Sequence, residues 1–457
     1  MTDSRNEAPR PGRATVADRL RRHLYGLIAR YLSFFTASDA RVLEVGPAST
    51  LLRDSMTAGR MAAYRPEPGA GYPAEDVFDD PEAAAAFQPD RIVLNGRLHL
   101  EPDIQARLEE MYRLCRPSTR LLIVHYSSLW QPLFNVAHAL GLQANARKTN
   151  WIAPSDLENL LRLSGFELVS TQARVLVPVP VPVLGGLINR WLAPLPVFSW
   201  FALLRVSVAR PLKAAWTAPP SVSVVVPGRN EAGNIAPLVA RLPRMGPEDE
   251  LIFVEGHSSD GTWAAMQEAA ARWPDRRITC LQQPGKGKGD AVRAGFDVAR
   301  GDILMILDAD LTVPPEDLPK FYQARVSGIC EFVNGTRLVY PMEAEAMRFA
   351  NMVGNKFFAL AFSFLLGQSF KDTLCGTKVI DRDAYRQLAR NRAYFGDFDP
   401  FGDFDLLFGA QRLGLRIVEL PIRYRERTYG ATNIQRWRHG WLLLRMTLFA
   451  ARRVKFL

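Results

Sequence analysis

The chain is predicted to be an α/β protein made of two units in tandem, and three observations predict it. Short apolar runs recur at intervals that suit strands buried on both faces. Stretches of helical periodicity fill the gaps between those runs. A proline-rich stretch, residues 210–220, separates one such series from the next. The 457 residues leave room for two or three cores, and 48% apolar against 23% charged residues is ordinary globular composition.

Taken in order, residues 1–17 are polar and rich in Arg and Pro, and read as a flexible tail. Residues 41–45, 91–94 and 120–124 read as buried parallel strands. Residues 102–114 and 154–164 read as helices, the second opened by Ser155 with Glu158 three residues on, the pattern of a capping box. Residues 202–209 close this first unit, 18–210, as a strand, and 211–220 read as a linker. The second unit, 221–435, starts with strands at 221–226, 250–254, 277–281 and 302–307. Strand–helix alternation in both makes two tandem Rossmann-like domains the predicted architecture. Residues 436–457 read as a basic amphipathic helix.

The formal charge of +10 is local. Residues 421–457 hold nine Lys and Arg against the single acid Glu426, which accounts for eight of the ten. Nothing interleaves aromatics with a basic groove, so nucleic acid is not an expected partner. The four cysteines, Cys115, Cys280, Cys330 and Cys375, have no CxxC spacing and predict neither a disulfide framework nor a zinc site. The N-terminus lacks the apolar stretch of a signal peptide, and residues 175–204 are interrupted by prolines and Arg190. The expectation is a cytoplasmic protein without a spanning helix, peripheral on the inner face of the membrane.

The chemistry-bearing motifs sit where strands end. In an open parallel sheet ligands bind beyond the carboxyl ends of the strands. The first strand of the second unit ends in Pro227, Asn230 and Glu231, and the second in Glu255, His257 and Asp260. Next comes a glycine–lysine loop, residues 284–289 with Lys288, which would bring N–H groups and ammonium charge to phosphates. The fourth strand ends in Asp308 and Asp310, an i, i+2 carboxylate pair suited to a hard divalent cation bridging a diphosphate.

The order of these four motifs resembles the inverting, metal-dependent family 2 glycosyltransferases of GT-A fold, nearest to the polyprenyl-phosphate sugar synthases. That resemblance, over residues 220–457, implies a UDP- or GDP-sugar donor held by Pro227, Asn230, Glu231, Glu255, Lys288, Asp308 and Thr432. It implies Mg²⁺ or Mn²⁺ on Asp308 and Asp310, and a polyprenyl phosphate acceptor met by Arg337, Arg348, Asn351 and Asn355. Asp405, with Asp403 second, matches the acid beside the attacking oxygen, and Arg427 the residue that stabilises the leaving diphosphate. Departures are Thr312 where relatives have Gln and Asn433 where they have Lys. His257 reads as a polar turn residue and Cys375 as packing. The apolar run 357–366 reads either as a core helix or as one lying at the bilayer surface, and 437–457 either as an interfacial helix or as one packed on its own domain.

Residues 42–46, 91–94, 113–117, 121–124 and 165–168 resemble class I S-adenosylmethionine methyltransferases over residues 20–210. The resemblance implies a cofactor turn at Glu44 and Gly46 and a ribose-binding acid after the second strand, with residues 64–67 as its remnant. Pro47, Ala48, Ser49 and Thr50 stand where that family has glycines, and only about 45 residues separate Gly46 from the strand at Arg91. Two readings follow: a working S-adenosylmethionine site, which would make the chain a bifunctional transferase, or a degenerate scaffold or docking domain. A non-catalytic membrane interaction protein is the remaining alternative.

Overall fold

In the computed structural model, residues 16–139, 150–340, 349–394, 402–427, 429 and 436–457 are described. Among them the strands form two seven-stranded mixed sheets flanked by helices. The first holds β1 (Arg41–Val45), β2 (Arg60–Tyr64), β3 (Val77–Phe78), β4 (Arg91–Asn95), β5 (Arg120–Tyr126), β6 (Phe166–Arg174) and β7 (Leu204–Pro211). Its order is β3-β2-β1-β4-β5-β7-β6, with β7 antiparallel to both neighbours. The second holds β8 (Val222–Gly228), β9 (Asp249–Glu255), β10 (Arg277–Gln282), β11 (Ile303–Ile306), β12 (Phe332–Thr336), β13 (Lys378–Asp381) and β14 (Ile417–Pro421). Its order is β10-β9-β8-β11-β13-β12-β14, with β13 antiparallel to β11 and β12.

The apolar runs explain the central strands. Val224, Val225 and Val226 of β8 and Ile303, Leu304, Met305 and Ile306 of β11 are buried, as strands covered by helices on both faces must be. In each sheet the chain first reverses direction after its third strand. The chain moves outward from β1 to β2 and β3 before crossing to β4, and from β8 to β9 and β10 before crossing to β11. Each therefore has a crevice at the carboxyl ends of its first and fourth strands.

Three expectations change. The helix at Pro154–Leu163 is capped two residues earlier than Ser155: Ala153 is the N-cap, its N–H donating to Asp156 at 3.3 Å, with Pro154 in the first turn. The interval before Arg91 does hold two strand–helix units, because they are compressed to a five-residue helix, Leu51–Ser55, and the two-residue strand β3. The stretch read as a linker begins inside β7, and Trp216 stacks 4.2 Å under the Arg325 guanidinium.

The units are fused rather than strung together. One buried apolar cluster includes Leu32 and Val208 from the first and Leu407 and Leu443 from the second. Buried Arg120 donates to the Gly414 carbonyl at 2.7 Å and pairs with Glu331 at 2.5 Å, while Arg210 donates to the carbonyls of Gly328 and Ile329. The helices Phe349–Leu366 and Arg436–Ala450 both pack inward on one side, through Phe358, Phe362 and Leu365 and through Leu443, Met446 and Ala450. No described helix is long and apolar enough to cross a membrane.

Candidate active site at the second switch point

β8 delivers its turn into the crevice. Asn230 adopts a left-handed backbone, φ 59°, that aims its N–H at the Ser258 hydroxyl, 3.0 Å away, and its Oδ1 at the Ser259 N–H, 2.8 Å away. Asn tolerates that conformation better than most residues. Pro227 ends the strand opposite Val254 of β9. Glu231 then caps the Ala232–Arg241 helix, accepting from Asn234 at 2.7 Å with Oε2 and meeting Arg427 at 2.8 Å with Oε1. Burial pushes the Glu231 carboxyl above its usual range despite Arg427.

The β9 turn is held by its own residues. Glu255 is buried and accepts the Ser258 N–H at 2.5 Å. Burial raises its pKa, but hydrogen bonds from Ser258 and His257 outweigh that and bring the carboxyl below the ordinary value. Glu255 thus shapes the turn, and its described bond is to the protein itself. His257 is a turn residue as expected, with φ 58° and Nε2 3.1 Å from the Gly285 carbonyl of the glycine–lysine loop.

That loop is fixed by the Gly285 N–H donating to Asp290 at 2.7 Å, and Gly287 turns it at φ 89°. Lys288 opens the next helix and places its ammonium 2.5 Å from Asp308. Burial would raise the Asp308 carboxyl, but Lys288, with Lys378 and Arg337 behind it, holds it below the usual range. Asp310 accepts from the Thr312 N–H and hydroxyl at 3.1 and 2.7 Å and pairs with Arg427 at 2.7 Å. Thr312, at the position of the missing Gln, therefore orients this carboxylate.

Arg427 reaches the crevice because the chain leaving β14 runs across the strand ends. Ile422 bonds the Thr336 carbonyl at 3.0 Å and Arg425 the Thr312 carbonyl at 2.9 Å. One guanidinium then bridges Glu231 and Asp310, joining the turns of β8 and β11.

Residues 372–378 read as a segment lining the site, but the part that Gly376 plays in it was not legible. A Cβ on Gly376 would lie 2.2 Å from Asp308 Oδ2 and 2.1 Å from Lys288 Nζ, so only glycine leaves that carboxylate and ammonium their space. Its signal was the lone glycine between Cys375 and Thr377, legible only once β13 was known to abut β11.

Other expected residues are placed differently. Arg337 is committed to buried Asp372 through two bonds, 2.6 and 2.9 Å, and lies 5.3 Å from the Tyr424 ring, so it acts here as a fixed cation behind Asp308. Asp405 is held inside the protein. It lies buried on the Asp403–Leu413 helix, 3.0 Å from Arg392, and lines a small cavity with Phe35 and Arg91 of the first unit. Gly402, one residue before that helix, lies against Gly289. Asn355 is buried in the Phe349–Leu366 helix. Arg348 and Thr432 lie outside the described residues, as do the side chains of Asn351 and Asp403.

The donor set suits a divalent metal. Asp308 and Asp310 offer hard carboxylate oxygens in a glycine-walled recess at one strand end. Among the described residues no group of three or more His, Cys, Asp or Glu could hold a metal by itself. Two carboxylates, with phosphate oxygens and water completing the shell, match the habit of Mg²⁺.

The crevice of the first sheet is filled. Glu44 is buried, accepts from the Tyr72 hydroxyl at 2.7 Å, and is pushed up to about 7 by burial. Gly46 has φ 58°, and Arg97 lies over it, 2.8 Å from where a Cβ would stand. Arg97 is held there by Glu101 at 2.8 Å and Glu67 at 3.2 Å, Glu67 being the acid after β2.

The model of the family "Glycosyl transferase family 2" matches residues 223–389. Polyprenol monophosphomannose synthase of Mycolicibacterium smegmatis is 30% identical over 217 residues, 46% of this chain and 80% of that protein. Glycosyltransferase AglJ of Haloferax volcanii is 28% identical over 227 residues, 49% of this chain and 70% of that protein. Dolichol-phosphate mannosyltransferase of Pyrococcus furiosus is 28% identical over 220 residues, 47% of this chain and 59% of that protein.

Proposed function

The chain belongs to glycosyl transferase family 2 and is a glycosyltransferase, and we propose that it moves a sugar from a nucleotide-sugar donor to a polyprenyl phosphate at the surface of a membrane. The observation that carries the reading is the second switch point, where Asp308 and Asp310 are met by Lys288 and Arg427. A site that gathers two carboxylates and two mobile cations is matched to a diphosphate with its counter-ion. The names of the curated relatives supply the acceptor class.

A divalent metal on Asp308 and Asp310 would neutralise diphosphate charge as the nucleotide leaves. Lys288 and Arg427 do the complementary work from the protein side. Both already sit at those carboxylates, and each has a long stem that lets its charge move to the donor's phosphates. The acceptor oxygen forms a bond to the anomeric carbon while the bond to the diphosphate breaks on the opposite face. The departing electron pair stays on the diphosphate, and the anomeric configuration inverts. A phosphate monoester has a second pKa of about 6, so at neutral pH its attacking oxygen carries no proton to remove. An acid at the start of the Asp403–Leu413 helix, Asp405 or Asp403, then positions the acceptor. Arg348, Asn351 and Asn355 remain the acceptor-binding residues of this reading, and Thr432 remains with the donor.

The fold reading is a GT-A domain over 221–435, supported by the strand-end motifs around β8 and β11. For residues 18–210 the order β3-β2-β1-β4-β5 supports a methyltransferase-like scaffold. The Arg97 and Tyr72 contacts favour its degenerate form over a working S-adenosylmethionine site.

Labelled UDP- and GDP-sugars incubated with polyprenyl phosphate and Mg²⁺ or Mn²⁺ test the proposal. One label is expected to become lipid-extractable, and Asp310→Ala is expected to abolish that transfer. Full metal-dependent transfer by the variant would sink the assignment.

A further inference from the structure

Between β6 and β7 the first unit carries a connection of 29 residues, from 175 to 203. Connections that long are uncommon in compact domains and are usually functional when ordered. This one is built rather than loose. Asn189 is buried and clamps its base, accepting the N–H groups of Leu176 and Val177 at 2.8 Å and donating to the Val177 carbonyl at 2.7 Å.

Its outer surface is apolar to a degree that water does not reward. Val183 is 80% exposed, Trp200 65%, Val197 64% and Phe201 59%, with Leu184 and Phe198 beside them. Val183 is also left-handed at φ 60°, a conformation that a β-branched residue rarely adopts. Arg190 is the one charged residue in the connection. Five of its residues are prolines, which have no N–H to leave unsatisfied in an apolar medium. Trp130 donates its indole N–H to the Phe201 carbonyl at 3.0 Å, satisfying an acceptor at the same edge.

The connection is joined to the basic C-terminus. Trp191 stacks on Phe456 at 5.0 Å, and Arg174, where β6 ends, hydrogen-bonds the Lys455 carbonyl. That terminus has no acid from residue 427 onward and exposes Arg445, Arg452 and Arg453. Its helix packs on Phe349–Leu366, whose outer residues Val353, Phe357 and Leu360 recur at i, i+4 and i+7 and are exposed. Aromatic and aliphatic side chains bordered by arginines, with no carboxylate in the connection or in these two helices, complement an anionic bilayer.

We propose that residues 176–201 form a wedge that docks the chain on a membrane carrying anionic lipid, so that the first unit acts as the membrane anchor of the second. The inference rests on the lipid-acceptor reading above for its purpose, but not for its test. Trp and Phe enter the interfacial layer, and Arg190 with the C-terminal arginines pairs with headgroup phosphates. This gives a methyltransferase-like scaffold with a filled crevice a task independent of any cofactor.

The test is flotation of the full chain with vesicles of phosphatidylcholine and phosphatidylglycerol. The parent protein is expected to float with phosphatidylglycerol vesicles and to release at high salt. Trp200→Ser with Phe201→Ser, and separately Val183→Ser with Leu184→Ser, are expected to lower partition by about tenfold or more. Both variants should keep the parent's melting temperature and its transfer to a short, water-soluble prenyl phosphate. Vesicle binding equal to the parent's in both variants would overturn the wedge. So would a parent that ignores anionic vesicles, or a parent dimer that these substitutions split. Lost flotation in the variants, with a parent that transfers to no prenyl phosphate, would keep the wedge and remove the acceptor reading.

Discussion

The β8–β11 crevice and the β1–β4 crevice have the same topological origin, yet one is dressed for a polyanion and the other is closed. At the first, Asp308, Asp310 and Glu231 face Lys288 and Arg427, and Gly376 keeps the recess clear. At the second, Arg97 lies over the one glycine of the turn and is tethered by Glu67 and Glu101. Topology makes a crevice, whereas side chains decide whether it is a site. A cation that can leave its carboxylate for a phosphate keeps a crevice usable. A cation packed over the backbone of the turn, as Arg97 is over Gly46, fills it, whereas Arg427, also held by two carboxylates, bridges two strand ends and leaves the turns open.

The comparison breaks most visibly at Arg427. Arg427→Ala is expected to lower kcat by about 10²–10³-fold, the scale for losing one preorganised charge on a leaving group. Arg427→Lys should recover part of it, because charge returns without the bidentate fork. Steady-state transfer kinetics read both, and an unchanged kcat in Arg427→Ala would place this residue outside the chemistry.

The glycines sharpen it next. Gly376→Ala forces a methyl group into the space of Asp308 and Lys288, and transfer should fall by about tenfold to a hundredfold with a raised metal requirement. Gly46→Ala meets Arg97 and a positive φ, so it should cost about 1–2 kcal/mol of stability and leave transfer unchanged. Equal effects of the two on transfer would erase the distinction between the crevices.

The pH effect at Glu44 touches stability alone. Its carboxyl titrates near 7 when folded, above the usual Glu value, so the folded state holds the proton more tightly than the unfolded chain. Stability from this group is complete below the unfolded pKa and is lost as pH rises through about 7. The loss should be about 3 kcal/mol, and Glu44→Gln should remove it. Thermal melts of both proteins from acid to neutral pH check this, with transfer unaffected by the substitution.

Much of this was legible in the chain because the signals are local. Valine and isoleucine runs announced β8 and β11, and the turns after them announced Asn230, Glu231, Asp308 and Asp310. Thr312 read as a missing ligand, but it bonds the carboxylate next to it. β2, with the sequence Arg-Met-Ala-Ala-Tyr, has a weak strand signature and emerges only from its pairing with β1.

The sequence by itself determined the strand order's raw material, the four strand-end motifs and the family they belong to, since each depends on residues within one turn of each other. Tertiary structure alone decided that Arg427 bridges Glu231 and Asp310 from 196 and 117 positions away, that Gly376 walls the recess, and that Arg97 fills the other crevice. It also decided that the apolar connection at 176–201 meets the basic C-terminus. Those outcomes depend on which strands lie side by side, and neighbours across a sheet leave no periodic trace along the chain.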